Sequence, residues 1–322
     1  MLRAAVLLYL LLAAPVAARD ILLNSPIDCD LTETCFIQQY VDRDEGPGAA
    51  DHTCGLLSYD GHTGTDFALP SLAMMAAGVN VVASAPGTVR AFRDGMEDIT
   101  VSTPGAPSVE GKECGNGVVI DHGGGWETQY CHMRKGSIVV RDGQRVAKGA
   151  VLGQVGLSGD TEFPHVHLTV RHDGVNIDPF HPDQTLICGE PAATTLWQTP
   201  PAHQPGGLIT LGFATAVPEF SAVKEGLPQP DSLPATAPAL VLWAYAFGGK
   251  TGDVVEITIE GPDRTVIVDR SPVTRTQAQF FRAAGKKMPA GGWPAGAYSG
   301  LARLLRQDEV IDSGTVTLTV TP

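Results

Sequence analysis

Positive charge is scarce in this chain. Only 22 of its 322 residues are Lys or Arg against 35 Asp or Glu, a formal net charge of −13. Nothing resembles a basic stripe, which argues against nucleic acid or an anionic membrane as partner. Helical periodicity is also sparse, while 37 Gly and 24 Pro lean toward a β-rich fold with many turns. No Cys-x-x-Cys pair occurs, so a zinc-finger reading is poor. No apolar run reaches the ~20 residues of a membrane span. With 43% hydrophobic and 18% charged residues the composition is globular rather than disordered, and the length allows two modest domains.

The first 18 residues carry an address. Arg3, the apolar run Ala4 to Ala14 and the small residues Val16, Ala17 and Ala18 form a signal-peptide pattern, with cleavage expected after Ala18. No cysteine follows at the new N-terminus, so neither a lipid nor a membrane anchor is expected to remain. The mature protein should be exported, to the periplasm or the medium. Six cysteines fit that compartment. The expected pairing is Cys29 with Cys35, Cys114 with Cys131 across a hairpin, and Cys54 with Cys188.

The chemistry gathers in three places. Pro164-His165-Val166-His167-Leu168 alternates imidazoles with apolar residues; in a strand both rings point to one face while Val166 and Leu168 face a core. Gly61-His62-Thr63-Gly64-Thr65-Asp66 sets a histidine and a carboxylate four apart on a tight turn entering a strand. The hairpin formed by Gly117 to Asp121 and Trp126 to His132, with a glycine tip, delivers His132 from a third strand. Catalytic zinc normally takes three protein ligands and leaves a position for water. His62, Asp66 and one of His165 and His167 meet that count. Zinc lowers the pKa of its water toward about 7, which suits attack on an amide carbonyl. His132 and the remaining strand histidine suit proton transfer and oxyanion stabilisation.

Together, Gly61 to Asp66, Tyr130-Cys131-His132-Met133 and Pro164 to His167 resemble, in order, the three signatures of the M23 (lysostaphin and LytM type) zinc metallopeptidases. The glycine-punctuated segments Ala85 to Val89, Gly115 to His122 and Gly149 to Gly156 resemble that family's strands. The resemblance covers about residues 52 to 182. It implies that His62, Asp66 and His167 bind Zn2+, that His132 and His165 act as general base and transition-state stabiliser, and that an antiparallel sheet forms a groove floored by the metal. Three departures stand out: Met133 where Leu is common, Cys131 beside His132, and Thr161-Glu162-Phe163 in place of small residues, which could narrow the groove. The long loop 92–113 reads equally as a groove wall and as a solvated insertion. His52, His122, His172, His181 and His203 read as loop or core histidines.

Beyond Cys188, the prolines Pro191, Pro200, Pro201 and Pro205 mark a stiff linker. Short alternating runs such as Val255 to Glu260 and Val316 to Val320 then fit half-buried antiparallel strands. The expected architecture is mainly β: a signal peptide (1–18), a lead-in (19–51), an antiparallel-sheet M23-like peptidase domain (52–190), a linker (191–206) and an immunoglobulin-like β-sandwich (207–322). Trp243 and Trp293 read as core aromatics rather than ligand platforms. The expected function is that of an exported zinc metalloendopeptidase acting on peptidoglycan peptide stems or cross-links, with a protein partner available to the sandwich. The alternatives are a non-catalytic M23-fold regulator of a cell-wall amidase and a secreted general protease.

Overall fold

The computed structural model describes residues 21–183, 188–189 and 192–322. The expected signal peptide and Pro191 lie outside the described residues. Strands dominate, with two short helices, and no described helix is long and apolar enough to cross a membrane.

The first half is built on one large antiparallel sheet. Its strands are β1 (Phe36–Gln39), β2 (Thr65–Ala68), β4 (Gly87–Arg93), β5 (Asn116–Gly123), β6 (Trp126–Met133), β7 (Arg145–Val146), β9 (His165–His172) and β10 (Val175–Ile177). They run in the order β1-β2-β9-β6-β5-β4-β7, with β10 beside β9. A separate pair joins β3 (Asn80–Val82) to β8 (Val151–Gln154), and helix α1 (Leu72–Ala77) follows β2. Serine at the α1 N-cap accepts from Met74 N, and Gly78 closes the helix at φ 91°, as short capped helices require.

Alternation divides the central strands between two faces. Phe67, Val166, Leu168, Val118, Ile120 and Tyr130 are buried in one core with Val81, Leu152 and Val155. The lead-in seals this core: Leu23 bridges Trp197 in parallel, and Ile27 bridges Val81. Leu196 and Trp197 are fully packed in the same cluster, so this part of the proline-marked stretch is docked rather than free.

The second half consists of two sheets. One has the order β11 (Gly207–Ala214), β13 (Ala239–Gly249), β16 (Gln277–Lys287). The other runs β12 (Ser232–Pro234), β18 (Glu309–Thr321), β17 (Gly296–Arg306), β14 (Val254–Glu260), β15 (Thr265–Pro272). Leu240, Leu242 and Ala244 from the first sheet pack against Ile257, Ala302 and Leu318 from the second. Strand β13 is buried from Leu240 to Gly249 because its other face, Trp243 and Tyr245, is covered by helix α2 (Phe220–Glu225) through Val223 and Phe220. Trp243 and Trp293 are core residues, 2% and 5% exposed.

All six cysteines pair as expected: Cys29–Cys35, Cys54–Cys188 and Cys114–Cys131. The loop after β4 is not a free insertion. Asp94 accepts from Gly136 N and Asp98 from Leu157 N, and Ser102 N and Oγ donate to the Glu162 carboxylate. It therefore braces the 157–163 segment from behind.

Loop-closure entropy ranks the disulfides. The 134-residue separation of Cys54–Cys188 predicts a loss of up to about 5 kcal/mol when both become Ser, against about 2 kcal/mol for Cys29–Cys35, which spans only six residues. Guanidinium midpoints of the two double variants should fall in that order; the reverse order would refute the ranking.

Candidate metal centre and groove

Register brings the signature residues together. Strand β2 pairs with β9 so that Asp66 lies opposite His167 and Ala68 opposite His165. On the other side of β9, β6 sets Cys131 opposite His167. Directly opposed residues share a face, so Asp66, His167 and His165 look into the same space. Simple alternation would turn His132 away from Cys131. Instead Asn116 pairs with Met133 and Val118 with Tyr130, leaving Gly117 alone against Cys131 and His132. This is a β-bulge, and His132 adopts φ 61°. The bulge re-aims the ring into the groove, where Cys131 also lies.

Three donor atoms meet closely. His62 Nε2 is 3.2 Å from Asp66 Oδ1 and 3.2 Å from His167 Nδ1, and His167 Nδ1 is 2.9 Å from Asp66 Oδ1. Tetrahedral ligation at about 2.0–2.1 Å needs donor atoms about 3.3 Å apart, so this triangle fits zinc. The far nitrogens are also engaged: His62 Nδ1 donates to Tyr40 O at 2.6 Å, and His167 Nε2 lies 3.0 Å from Thr169 Oγ1. Such outer bonds fix the tautomer and orientation of ligating imidazoles. His132, His165 and His167 form a looser second group, with donor atoms within 4.8 Å.

Electrostatics reinforce the geometry. Burial alone would raise the Asp66 carboxyl, but the charges of His62 and His165 and the hydrogen bonds from His165 and His167 outweigh it and hold its pKa well below the carboxylate range. Burial opposes protonation of His62, yet the Asp66 charge and hydrogen bond prevail and raise it. Burial, with His165 and His167 close by, pushes His132 well below the ordinary histidine value. His132 Nδ1 donates to Ser158 O at 2.8 Å, leaving Nε2 as an acceptor. His165 Nδ1 lies 2.9 Å from Phe163 O, and its Nε2 is 3.4 Å from Asp66 Oδ1. All five residues singled out in the sequence thus converge.

The other histidines lie elsewhere. His122 is held by Pro86 O and Thr128 Oγ1, and His172 stacks on Trp126. His52 and His203 surround Tyr40; desolvation drops His52 to about 4 and raises nearby Asp178 to about 6. Sequence reading missed the other groove residues: Tyr59, Phe220, Lys224, Arg275 and Gln277 line the space with His132 and His165. No spacing rule links them to the signatures.

Residues 60–179 match the family model described as peptidase family M23. The chain is 37% identical over 117 residues to the peptidoglycan DD-endopeptidase ShyA of Vibrio cholerae, covering 36% of this chain and 22% of that protein. It is 36% identical over 58 residues to the cell division protein DipM of Caulobacter vibrioides, covering 18% and 9%. It thus spans less than a quarter of the length of either curated relative. Among solved structures, the catalytic domain of the antimicrobial peptidase lysostaphin from Staphylococcus simulans is similar at a TM-score of 0.27 and 21% identity, covering 37% of this chain and 76% of that one.

Gly64 offers a local test. A Cβ there would stand 2.5 Å from His167 Nε2 and 2.6 Å from Leu168 O. Gly64→Ala should displace the imidazole and weaken zinc binding by about tenfold or more, measured by competition with a chromophoric chelator. Unchanged affinity would remove His167 from the ligand set.

Proposed function

Since residues 60–179 are a domain of peptidase family M23, we propose that the protein is an exported zinc metalloendopeptidase that hydrolyses peptide bonds in bacterial peptidoglycan. One observation carries this reading: a tight donor triangle stands beside two further imidazoles whose Nδ1 atoms are already committed to main-chain oxygens. A structural metal site has no use for that pair. The substrate class is taken from the relative named as a peptidoglycan endopeptidase.

His62, Asp66 and His167 would hold Zn2+. A zinc ion supplies Lewis acidity that makes water nucleophilic at neutral pH and polarises a carbonyl. His132 takes the proton at Nε2, because its Nδ1–H is tied to Ser158 O and burial keeps the ring neutral. A neutral, fixed imidazole is what a general base requires. His165, anchored through Nδ1 to Phe163 O, turns Nε2 toward the same space and, when protonated, stabilises charge on the carbonyl oxygen. Tyr59 also lines this space. Burial raises its phenol above the ordinary value, with Asp66 and Asp160 adding to the effect, so it stays a donor.

The remaining assignments rest on consistent features. Three disulfides suit an oxidising compartment, in line with export and cleavage after Ala18. Residues 52–190 would be the peptidase domain, with 19–51 as lead-in and 191–206 as linker. Residues 207–322 are read as an immunoglobulin-like sandwich. Support for this comes from the two sheet orders and from Tyr298 near the start of β17, whose hydroxyl donates to Pro294 O, just ahead of the strand, at 3.0 Å, as in a tyrosine corner.

Purified sacculi incubated with the protein should release peptide-cleaved muropeptides identifiable by mass spectrometry. His132→Ala should cut the rate by about 10²–10⁴-fold while retaining zinc. Wild-type protein that releases nothing, yet accelerates an added amidase, would replace this reading with that of a regulator.

A further inference from the structure

The groove has a wall that comes from the second half of the chain. A space of about 490 Å³ lies between Asp66, His132 and His165 on one side and Phe220, Lys224, Arg275 and Gln277 on the other. The wall is held firmly. Gln38, fully buried on β1, donates through Nε2 to Ala278 O at 2.9 Å and accepts from Gln279 Nε2 at 3.0 Å. The Tyr245 hydroxyl donates to Oε1 of the same Gln279 side chain. Phe36 packs on Phe247 with ring centroids 4.6 Å apart, and Lys224 Nζ reaches Glu162 O across the gap at 3.3 Å.

Charge on this wall is selective. In a chain with 22 Lys and Arg and a net charge of −13, two cations face the candidate centre. Arg275 forms no ion pair among the described residues. Arg171, on the other half of the groove, is by contrast neutralised by Glu127 at 3.0 Å and held by Gln129 at 2.7 Å. Glu162 lines the space as well, its carboxylate turned toward Ser102, whose N and Oγ donate to it at 3.0 and 2.6 Å. Asp160 also lines the space, so the wall must discriminate by position as well as by charge.

We propose that Arg275, assisted by Lys224, is a specificity-determining clamp for a free carboxylate on the substrate peptide, so that the second half of the chain forms part of the substrate site. This rests on the peptidase reading of the groove. A guanidinium presents a planar fork that matches carboxylate bidentately, while an amide offers it one acceptor and loses the charge. A peptide's C-terminus and an acidic side chain present this same chemistry, and the test separates them.

The test uses the full chain carrying His132→Ala, so that binding is read without turnover. The probes are three synthetic stem tetrapeptides: one with all carboxylates free, one amidated at the C-terminus and one amidated at the side chain. Calorimetry should give the free peptide about five- to tenfold tighter binding than one amidated form, which identifies the carboxylate recognised. Adding Arg275→Glu should abolish or invert that preference, and Arg275→Lys should keep part of it. Equal binding of all three peptides, or a preference that survives Arg275→Glu, overturns the proposal. In wild-type hydrolysis the preference should appear in KM rather than kcat. Selective binding without any hydrolysis would refute the peptidase reading and leave the clamp standing; hydrolysis without selectivity would do the opposite.

Discussion

A carboxylate out of reach of water is the constraint on which the site turns. Asp66 is 2% exposed, and a buried charge costs several kcal/mol unless opposite charge and hydrogen bonds surround it. Imidazole nitrogens of His62, His165 and His167 stand 3.2, 3.4 and 2.9 Å from its Oδ1. Those contacts exist only in one register of β2 against β9. A slip by one residue would send Asp66 into the apolar core and Phe67 into the groove. The same residues that make the site therefore also fix the centre of the sheet, with Phe67, Val166 and Leu168 sealing its opposite face.

The bulge at Gly117 is the second requirement. A non-glycine residue at φ 61° is uncommon and holds strain that its surroundings must enforce. Around His132 that enforcement is visible: its N–H donates to Cys114 O at 2.8 Å, its ring to Ser158 O, and the preceding Cys131 is tied to Cys114. Gly117 has no room for a side chain, since a Cβ would stand 2.4 Å from Tyr130 O. The disulfide thus explains the cysteine beside His132 as an anchor for a bent strand.

Two sheet edges meet at Gln38 and Gln279, and a groove that would otherwise have one open side gains a wall. Beside the Phe36–Phe247 contact, polar side chains give this junction its direction: a buried glutamine amide must find partners, and its partners lie on β16. The position of Arg275 beside the candidate metal centre follows from that short network.

The three signatures, the strand alternation and the Cys29–Cys35 and Cys114–Cys131 pairs were legible in the sequence because each depends on local rules: a period of two, a glycine turn, a short loop or a hairpin that sets two cysteines opposite. Strands β2, β4, β5, β6, β8, β9, β14 and β18 were visible for the same reason. Strand β16 was not, since its residues Gln277 to Lys287 alternate little and only Phe280 is deeply buried; it is a strand because β13 lies beside it. Helix α2 is too short to announce itself by periodicity. What the sequence determined by itself was the set of candidate side chains, four histidines and Asp66, picked out by residue type and spacing. Which histidine joins Asp66, how His132 turns inward and what closes the groove were decided by tertiary structure alone, because each depends on register, a bulge and a polar contact between residues some 240 positions apart.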